Sequence, residues 1–334
     1  MFFKDKKVLV IGGTGTIGTS LVKQILKEEP SVIRIFSRDE YKQFNLQNEI
    51  GQKNNLRFLI GDVRNYERLL SAMSDIDYVF HTAAMKHVPS CEYNPYEAVL
   101  TNIIGTNNVI KAAIAQNVKK VVFTSSDKAI SPTNNYGATK LTAERLMISA
   151  EYSKGKAKTV FSSVRFGNVM GSRGSVIPLF KKQILNKKKV TVTNLSMSRF
   201  MMTLTQATEL TIKALKESKG GETFVLKMPV ILLKDLLSVI IEETCKEYQL
   251  NCEEIEVQEI GLRPGEKMYE ELMTFDESTF ALELPGMFLI PSNFGKANSY
   301  QNVSKAPQGT YSSESQESIS KEEVRQLLKS EGLI

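Results

Sequence analysis

Five residues in one short stretch can move protons or steer them. Tyr136-Gly-Ala-Thr-Lys140 sets a phenol and an amine four positions apart, which on a helix is one face. An ammonium close to a phenol favours the phenolate and lowers the tyrosine pKa. The spacing therefore predicts a tyrosine that takes a hydroxyl proton while hydride leaves the same carbon for a nicotinamide. Ser126-Asp127-Lys128 stands just ahead, past the end of an apolar run. A YxxxK pair arises often by chance, so its weight depends on the elements around it.

Those elements alternate. Short β-branched runs at Lys7–Ile11, Val32–Phe36, Leu56–Ile60, Tyr78–His81, Lys120–Thr124 and Val160–Arg165 are separated by helical segments, the first at 16–28. Such alternation predicts an α/β fold with a doubly wound parallel sheet of the Rossmann type, its strand C-termini on one ligand-binding edge. Gly12-Gly-Thr14-Gly15-Thr16-Ile17-Gly18 follows the first run and opens a helix. Glycines there let the backbone approach a pyrophosphate, and the helix N-terminus supplies amides. After the second run comes Ser37-Arg38-Asp39. An acidic residue at this place would hold the ribose hydroxyl of NAD; Ser37 and Arg38 instead leave room and charge for a 2′-phosphate, so NADP is expected, with Asp39 keeping NAD open. Asp62, next to Val63, is placed to contact adenine, and Ala83 and Ala84 are small where backbone must lie near the cofactor. His81 reads as a strand-end packing residue.

The cofactor-binding part is expected over 1–167, with returning segments near 195–230. A smaller C-terminal substrate-binding lobe is expected over 168–194 and 231–292, with helices at 177–186 and 230–247. The Ser-, Gln-, Asn- and Gly-rich stretch beyond, within 293–334, reads as a mobile tail ending in a short amphipathic helix at 321–333.

Together the glycine turn, the serine and the YxxxK pair resemble the extended short-chain dehydrogenase/reductase family over about Lys6 to Pro291. In that family the serine, tyrosine and lysine form the core catalytic set, often completed by an asparagine, for which Asn102 is the counterpart. Ser126-Asp127-Lys128-Ala129 with Pro132 through Lys140, Ser37-Arg38-Asp39-Glu40, Lys86-His87-Val88-Pro89, Arg165 through Val169, Gly171 through Val176 and Gly261 through Lys267 narrow this. In that order they are similar to the UDP-N-acetylglucosamine 4,6-dehydratases of polysaccharide and nonulosonic-acid pathways. The resemblance implies oxidation of the sugar at C4, removal of the C5 proton by Lys128, protonation of the departing C6 hydroxyl by Asp127, and hydride return to C6. As a base, Lys128 needs a depressed pKa. An exposed Asp-Lys turn is the plain alternative.

For the UDP-N-acetylhexosamine, Arg173 and Arg199 are candidates for the diphosphate or uridine, and Arg263 sits where a rigid turn can aim a guanidinium at phosphate. Asn168, Lys86 and Val176 are further candidates. Glu266 either binds ribose or pairs with Arg263. A UDP-sugar 4-epimerase on the same scaffold, a dehydratase releasing a 5,6-ene product and a non-catalytic NADP sensor are the alternatives; Asp127-Lys128 and the intact Tyr-Lys pair argue against the first and last.

Bulk properties exclude other classes. The chain has 334 residues and a net charge of +6 from 43 basic and 37 acidic side chains, too mild and scattered for a nucleic-acid partner. No stretch reaches the roughly 18 apolar residues of a membrane span. Three cysteines without metal-ligand spacing, and only two histidines, give no metal site and fit a reducing, cytoplasmic location. The resemblance further implies a homo-oligomer.

Overall fold

The computed structural model describes residues 1–172, 174–263, 265–292, 300–301 and 303–334. The six apolar runs are strands: β1 Lys7–Ile11, β2 Val32–Ser37, β3 Leu56–Ile60, β4 Tyr78–His81, β5 Lys120–Thr124 and β6 Val160–Arg165. They pair in parallel in the order 3-2-1-4-5-6. Thr223–Leu226 adds in parallel beside β6, and Met287–Ile290, Leu282–Leu284 and Ser304–Lys305 extend that edge antiparallel, ten strands in all. The fold is thus α/β with a doubly wound, mainly parallel sheet, as the alternation predicts.

Parallel strands with helices on both faces bury alternate side chains to opposite sides, which is why β1 is a continuous apolar run. Val8 and Val10 join Ile33, Ile35 and Phe80 in one cluster, while Leu9 and Ile11 join Phe36, Val79 and Phe123 in another. Each such side chain contributes roughly 1.5–3 kcal/mol of burial. The order reverses between β1 and β4, which fixes a crevice beyond their C-terminal ends. Helix α1, Thr16–Leu26, begins there.

A third apolar cluster joins Met170, Phe180, Ile184, Val190, Ile231 and Ile240. It is built from the helices Val176–Lys187 and Leu233–Tyr248, the strand Lys189–Val192, which pairs with Glu256–Glu259, and a small sheet of Asn168–Val169, Ser198–Met202 and Val230–Leu232. The helix expected from residue 230 therefore starts three residues later. Val230, Ile231 and Leu232 pair antiparallel with Phe200, Arg199 and Ser198 instead, because an available edge satisfies their backbone and suits two β-branched residues.

The C-terminal stretch expected to be mobile is, in its described part, packed. Tyr311–Ser312 pairs with Glu271–Met273, and the Tyr311 ring lies 4.8 Å from that of Phe200 and 5.2 Å from that of Phe288. Ser320 and Glu323 form a capping box for the helix Lys321–Ser330, which buries Val324 and Leu328 in the third cluster and pairs Arg325 with Glu242 and Glu243. A short edge strand at Ser304–Lys305, one buried aromatic and one narrow apolar stripe anchor a stretch whose average composition is polar.

Candidate active site

The crevice at the reversal of strand order widens into a cleft of about 880 Å³. Its floor is the glycine turn. Gly12 has φ +81°, and a Cβ there would lie 2.7 Å from the Ala83 nitrogen and 2.8 Å from Thr82 Oγ1. A Cβ on Gly18 would collide with the Gly12 carbonyl, so only hydrogen lets α1 sit this close to β1. Gly15 is the N-cap of α1 and brings no capping side chain. Thr14, Gly15, Thr16, Ile17 and Gly18 line the cleft, as does Ala84. A glycine cradle opening onto a helix N-terminus fits a dinucleotide pyrophosphate.

At the end of β2, Ser37 is buried and its Oγ accepts a 2.9 Å hydrogen bond from Gln43. Asp39 caps the following helix through the Lys42 backbone N–H at 3.0 Å and also meets the Lys42 ammonium at 2.6 Å. Its carboxylate is thus engaged toward the helix. Arg38 is exposed, 3.6 Å from Asp62, and Lys42, which sequence reasoning passed over, lines the cleft. Burial alone would raise the Asp62 carboxyl, but hydrogen bonds and charge from Arg64, with Arg38 adding, hold it below the usual range. Val63 is buried and its carbonyl accepts from Asn108.

On the far wall Asp127, Lys128, Tyr136 and Lys140 line one cleft with Ser126. The turn Asp127–Ala129 leaves β5, capped by Ser126 Oγ, and the helix Asn135–Ser153 carries Tyr136 and Lys140. A Cβ on Gly137 would collide with the Lys128 carbonyl, so this glycine lets the helix start pack onto the turn. Arg165, fully buried at the end of β6, fixes the same helix by a two-pronged bond to Glu144, with a second fork to Glu277.

The charges are arranged otherwise than the spacing suggests. Lys140 Nζ donates to the Thr124 carbonyl at 2.6 Å and lies 3.9 Å from the Phe123 ring centroid. Burial pulls its pKa down to about 7, opposed by Glu144. Burial raises the Tyr136 phenol, and the groups that counter this are a hydrogen bond with Ser126 and the charge of Lys128. The cation acting on the phenol is thus Lys128. Nor is Lys128 depressed. Burial would lower it, but Asp127 at 2.9 Å and Glu270 at 2.9 Å hold it well above the usual lysine range. Asp127, buried, accepts from Ser126 Oγ at 2.6 Å. Burial would raise it, yet Lys128 and its hydrogen bonds bring it down to about 2.

Glu270 was not singled out from the sequence. It arrives from 142 positions away, three residues past the Pro-Gly-Glu-Lys block, and its signal was only one of two adjacent acids. It is buried. Asn168 Nδ2 donates to its Oε2 at 3.0 Å, and Arg199 Nε stands 3.5 Å from its Oε1. Burial first, then Asp127, push its carboxyl up to about 7 against Lys128 and Arg199. Arg199 lines the cleft, but its Nη atoms donate to the carbonyls of Ser198, Lys267 and Met268. Its expected phosphate role is thereby weakened, since most of its donors hold loops together. Lys86, Asn168, Val176, Arg263 and Glu266 also line the cleft. Glu266 pairs with Arg263, 4.0 Å between charges, and accepts the Arg263 backbone N–H.

Asn102 is not brought to the cleft. It lies in a π-helical turn, Val99–Ile104, and its amide clamps Met85 by two backbone hydrogen bonds and meets Thr139 Oγ1 at 3.0 Å. The extra residue per turn directs it to the wall behind. Arg173 lies outside the described residues. His81 is buried, bonded to Thr106 Oγ1 at 3.0 Å, and burial with Lys140 nearby drops its pKa to about 3. Among the described residues no group of three His, Cys, Asp or Glu could hold a metal ion, and no helix is long and apolar enough to cross a membrane.

A glycine cradle at the switch point and a proton-handling wall opposite define an enzyme of the nucleotide-sugar dehydratase and epimerase class. The family model described as polysaccharide biosynthesis protein matches residues 8–292. The chain belongs to this family. It is 67% identical to the chain in the X-ray structure of Pen from Bacillus thuringiensis, covering 100% of each, with a TM-score of 0.95. It is 47% identical to an uncharacterized membrane protein of Methanocaldococcus jannaschii over 98% of this chain and 96% of the other. Identity to the inverting UDP-N-acetylglucosamine 4,6-dehydratase of Campylobacter jejuni is 40%, covering 86% of this chain and 83% of that one. Identity to the UDP-glucose 4-epimerase of Rickettsia felis is 38%, covering 98% and 96%.

Proposed function

We propose that the protein is a UDP-N-acetylglucosamine 4,6-dehydratase that uses NADP. The observation that carries this reading is the Asp127–Lys128 turn, with Asp127 buried and Lys128 half-buried, lining the same cleft as Tyr136. A 4-epimerase needs the tyrosine and the cofactor but no acid and base for C5–C6 elimination. Tyr136, assisted by Ser126 and Lys128, takes the proton of the C4 hydroxyl. Asp127 and Lys128 serve the elimination from one wall. Arg263 and Lys86 offer charge to the nucleotide diphosphate. Bound nicotinamide supplies acceptance and return of the hydride. Arg38 stands exposed at the end of β2 as a cation for a 2′-phosphate, with Lys42, ion-paired to Asp39 at 2.6 Å, beside it; this favours NADP over NAD.

The 38% identity to a UDP-glucose 4-epimerase keeps that second reading in play. Incubation with UDP-N-acetylglucosamine separates them by product mass. Loss of one water is expected. An unchanged mass with a new sugar NMR spectrum would establish epimerisation instead.

A further inference from the structure

We propose that Glu270 is the proton exchanger of the elimination, closing a circuit through Lys128 and Asp127 so that the cluster needs no proton from solvent. This rests on the dehydratase reading. Asp127 and Lys128 border both the main cleft and a smaller cavity of about 260 Å³ behind it, whereas Glu270 borders only the smaller one. Glu270 therefore acts through its two neighbours, as a positioning residue.

The need for it follows from the charges. A lysine between two carboxylates is an ammonium, and an ammonium is no base. An ionised Asp127 is likewise no acid. Lys128 Nζ, however, lies 2.9 Å from Glu270 Oε1. Passing its proton there leaves a neutral amine and a protonated Glu270. Glu270 and Asp127 each meet the same Lys128 Nζ at 2.9 Å, an arrangement in which two close carboxyls can hold one proton between them. From this state the amine takes the C5 proton of the 4-keto sugar. The C5–H electron pair becomes the C5–C6 π bond and the C6–O bond breaks. The Glu270 proton moves to Asp127, and the Asp127 proton goes to the departing oxygen as water leaves. Asp127 and Glu270 end as carboxylates and Lys128 as ammonium, the starting charges.

The groups facing Glu270 support this role. Asp127 opposes its ionisation, Lys128 and Arg199 favour it, and the balance leaves its carboxyl at about 7, where a proton moves either way near neutral pH. Asn168 fixes Oε2, while Oε1 faces Lys128 at 2.9 Å and Arg199 Nε at 3.5 Å.

The test is Glu270→Gln, which keeps shape and hydrogen bonding but cannot exchange a proton. With UDP-N-acetylglucosamine, single-turnover nicotinamide reduction should persist within about threefold of the parent, while water loss falls by roughly 10²–10⁴-fold. The limb near pH 7 in the parent's pH–rate profile for water loss should disappear. Glu270→Asp, which keeps the carboxyl, should restore that limb at a reduced rate, and serves as the decisive variant should the glutamine form not fold. Water loss by Glu270→Gln within threefold of the parent and with the same limb, or an aspartate form lacking the limb, would overturn the proposal. A parent enzyme that removes no water refutes the dehydratase reading itself.

Discussion

Arg165→Met is the perturbation whose size the structure sets most directly. The guanidinium is fully buried and makes two forked ion pairs, at 2.9 and 2.5 Å to Glu144 and at 2.8 and 2.8 Å to Glu277, plus a 3.2 Å bond to the Leu272 carbonyl. Methionine fills the space but leaves two buried carboxylates without a counter-charge, which costs about 3–5 kcal/mol. With an unfolding entropy near 2.1 cal/mol/K per residue, a two-state chain of this size would lose roughly 4–7 °C in Tm. The cost must depend on pH. In the parent, burial would raise Glu277, but Arg165 holds it below the usual range. A depressed carboxyl contributes stability above its unfolded pKa, lost as pH falls through the folded value. In Arg165→Met the unpaired Glu277 carboxyl moves the other way, so the gap between parent and variant should be wide at pH 8 and narrow toward pH 4. Replacing Glu144 and Glu277 by leucine as well should recover most of the loss, since a well-packed apolar triad stands in for a buried ionic one at little cost. Thermal unfolding across that pH range decides. A loss below 1 kcal/mol at pH 8, or one independent of pH, would refute the idea that this network is a paired buried charge.

Three further outcomes are expected. Lys128→Met should abolish water loss while leaving NADP binding, followed by fluorescence titration, within about threefold; near-parental dehydration would remove Lys128 from the elimination. The double change Arg38→Ala with Lys42→Ala should weaken NADP binding by roughly 10–100-fold, the worth of one to two charge-assisted hydrogen bonds, and leave NAD unchanged; equal losses for both cofactors would contradict the 2′-phosphate assignment. Ser313→Ala removes the hydroxyl that accepts the Glu270 N–H at 3.0 Å and meets Ser198 Oγ at 2.9 Å. It should slow water loss by about tenfold, one net hydrogen bond's worth, without affecting nicotinamide reduction.

What could be read from the sequence divides by range. The bounds of β1, β3, β4, β5 and β6 were legible because a strand covered on both faces is a local pattern. So was the meeting of Asp127, Lys128, Tyr136 and Lys140, which rests on one turn and one helix face. Illegible were the effects of partners brought from afar. The spacing of Tyr136 and Lys140 suggested which amine tunes the phenol, but Thr124 and Phe123 of β5 claim Lys140, and Lys128 fills that place. Glu270 had no periodicity to betray it. Asn102 looked free to reach a ligand because a π-helical turn leaves no mark in residue spacing.

The C-terminal stretch extends that lesson to chemistry. Composition marked it as mobile, yet Ser313 grips Glu270 twice, its N–H donating to the Glu270 carbonyl at 2.8 Å and its Oγ accepting the Glu270 N–H at 3.0 Å. Tyr311–Ser312 holds the strand Glu271–Met273 that follows. A buried acid pressed against a second acid is costly to hold in place, and a free loop would let it swing out to water. Fastening the backbone on both sides of Glu270 removes that escape. The carboxyl then keeps its contact with Lys128 despite the repulsion from Asp127. The cluster's unusual charge state is thus a property of the whole chain, reaching from β5 to its last strand.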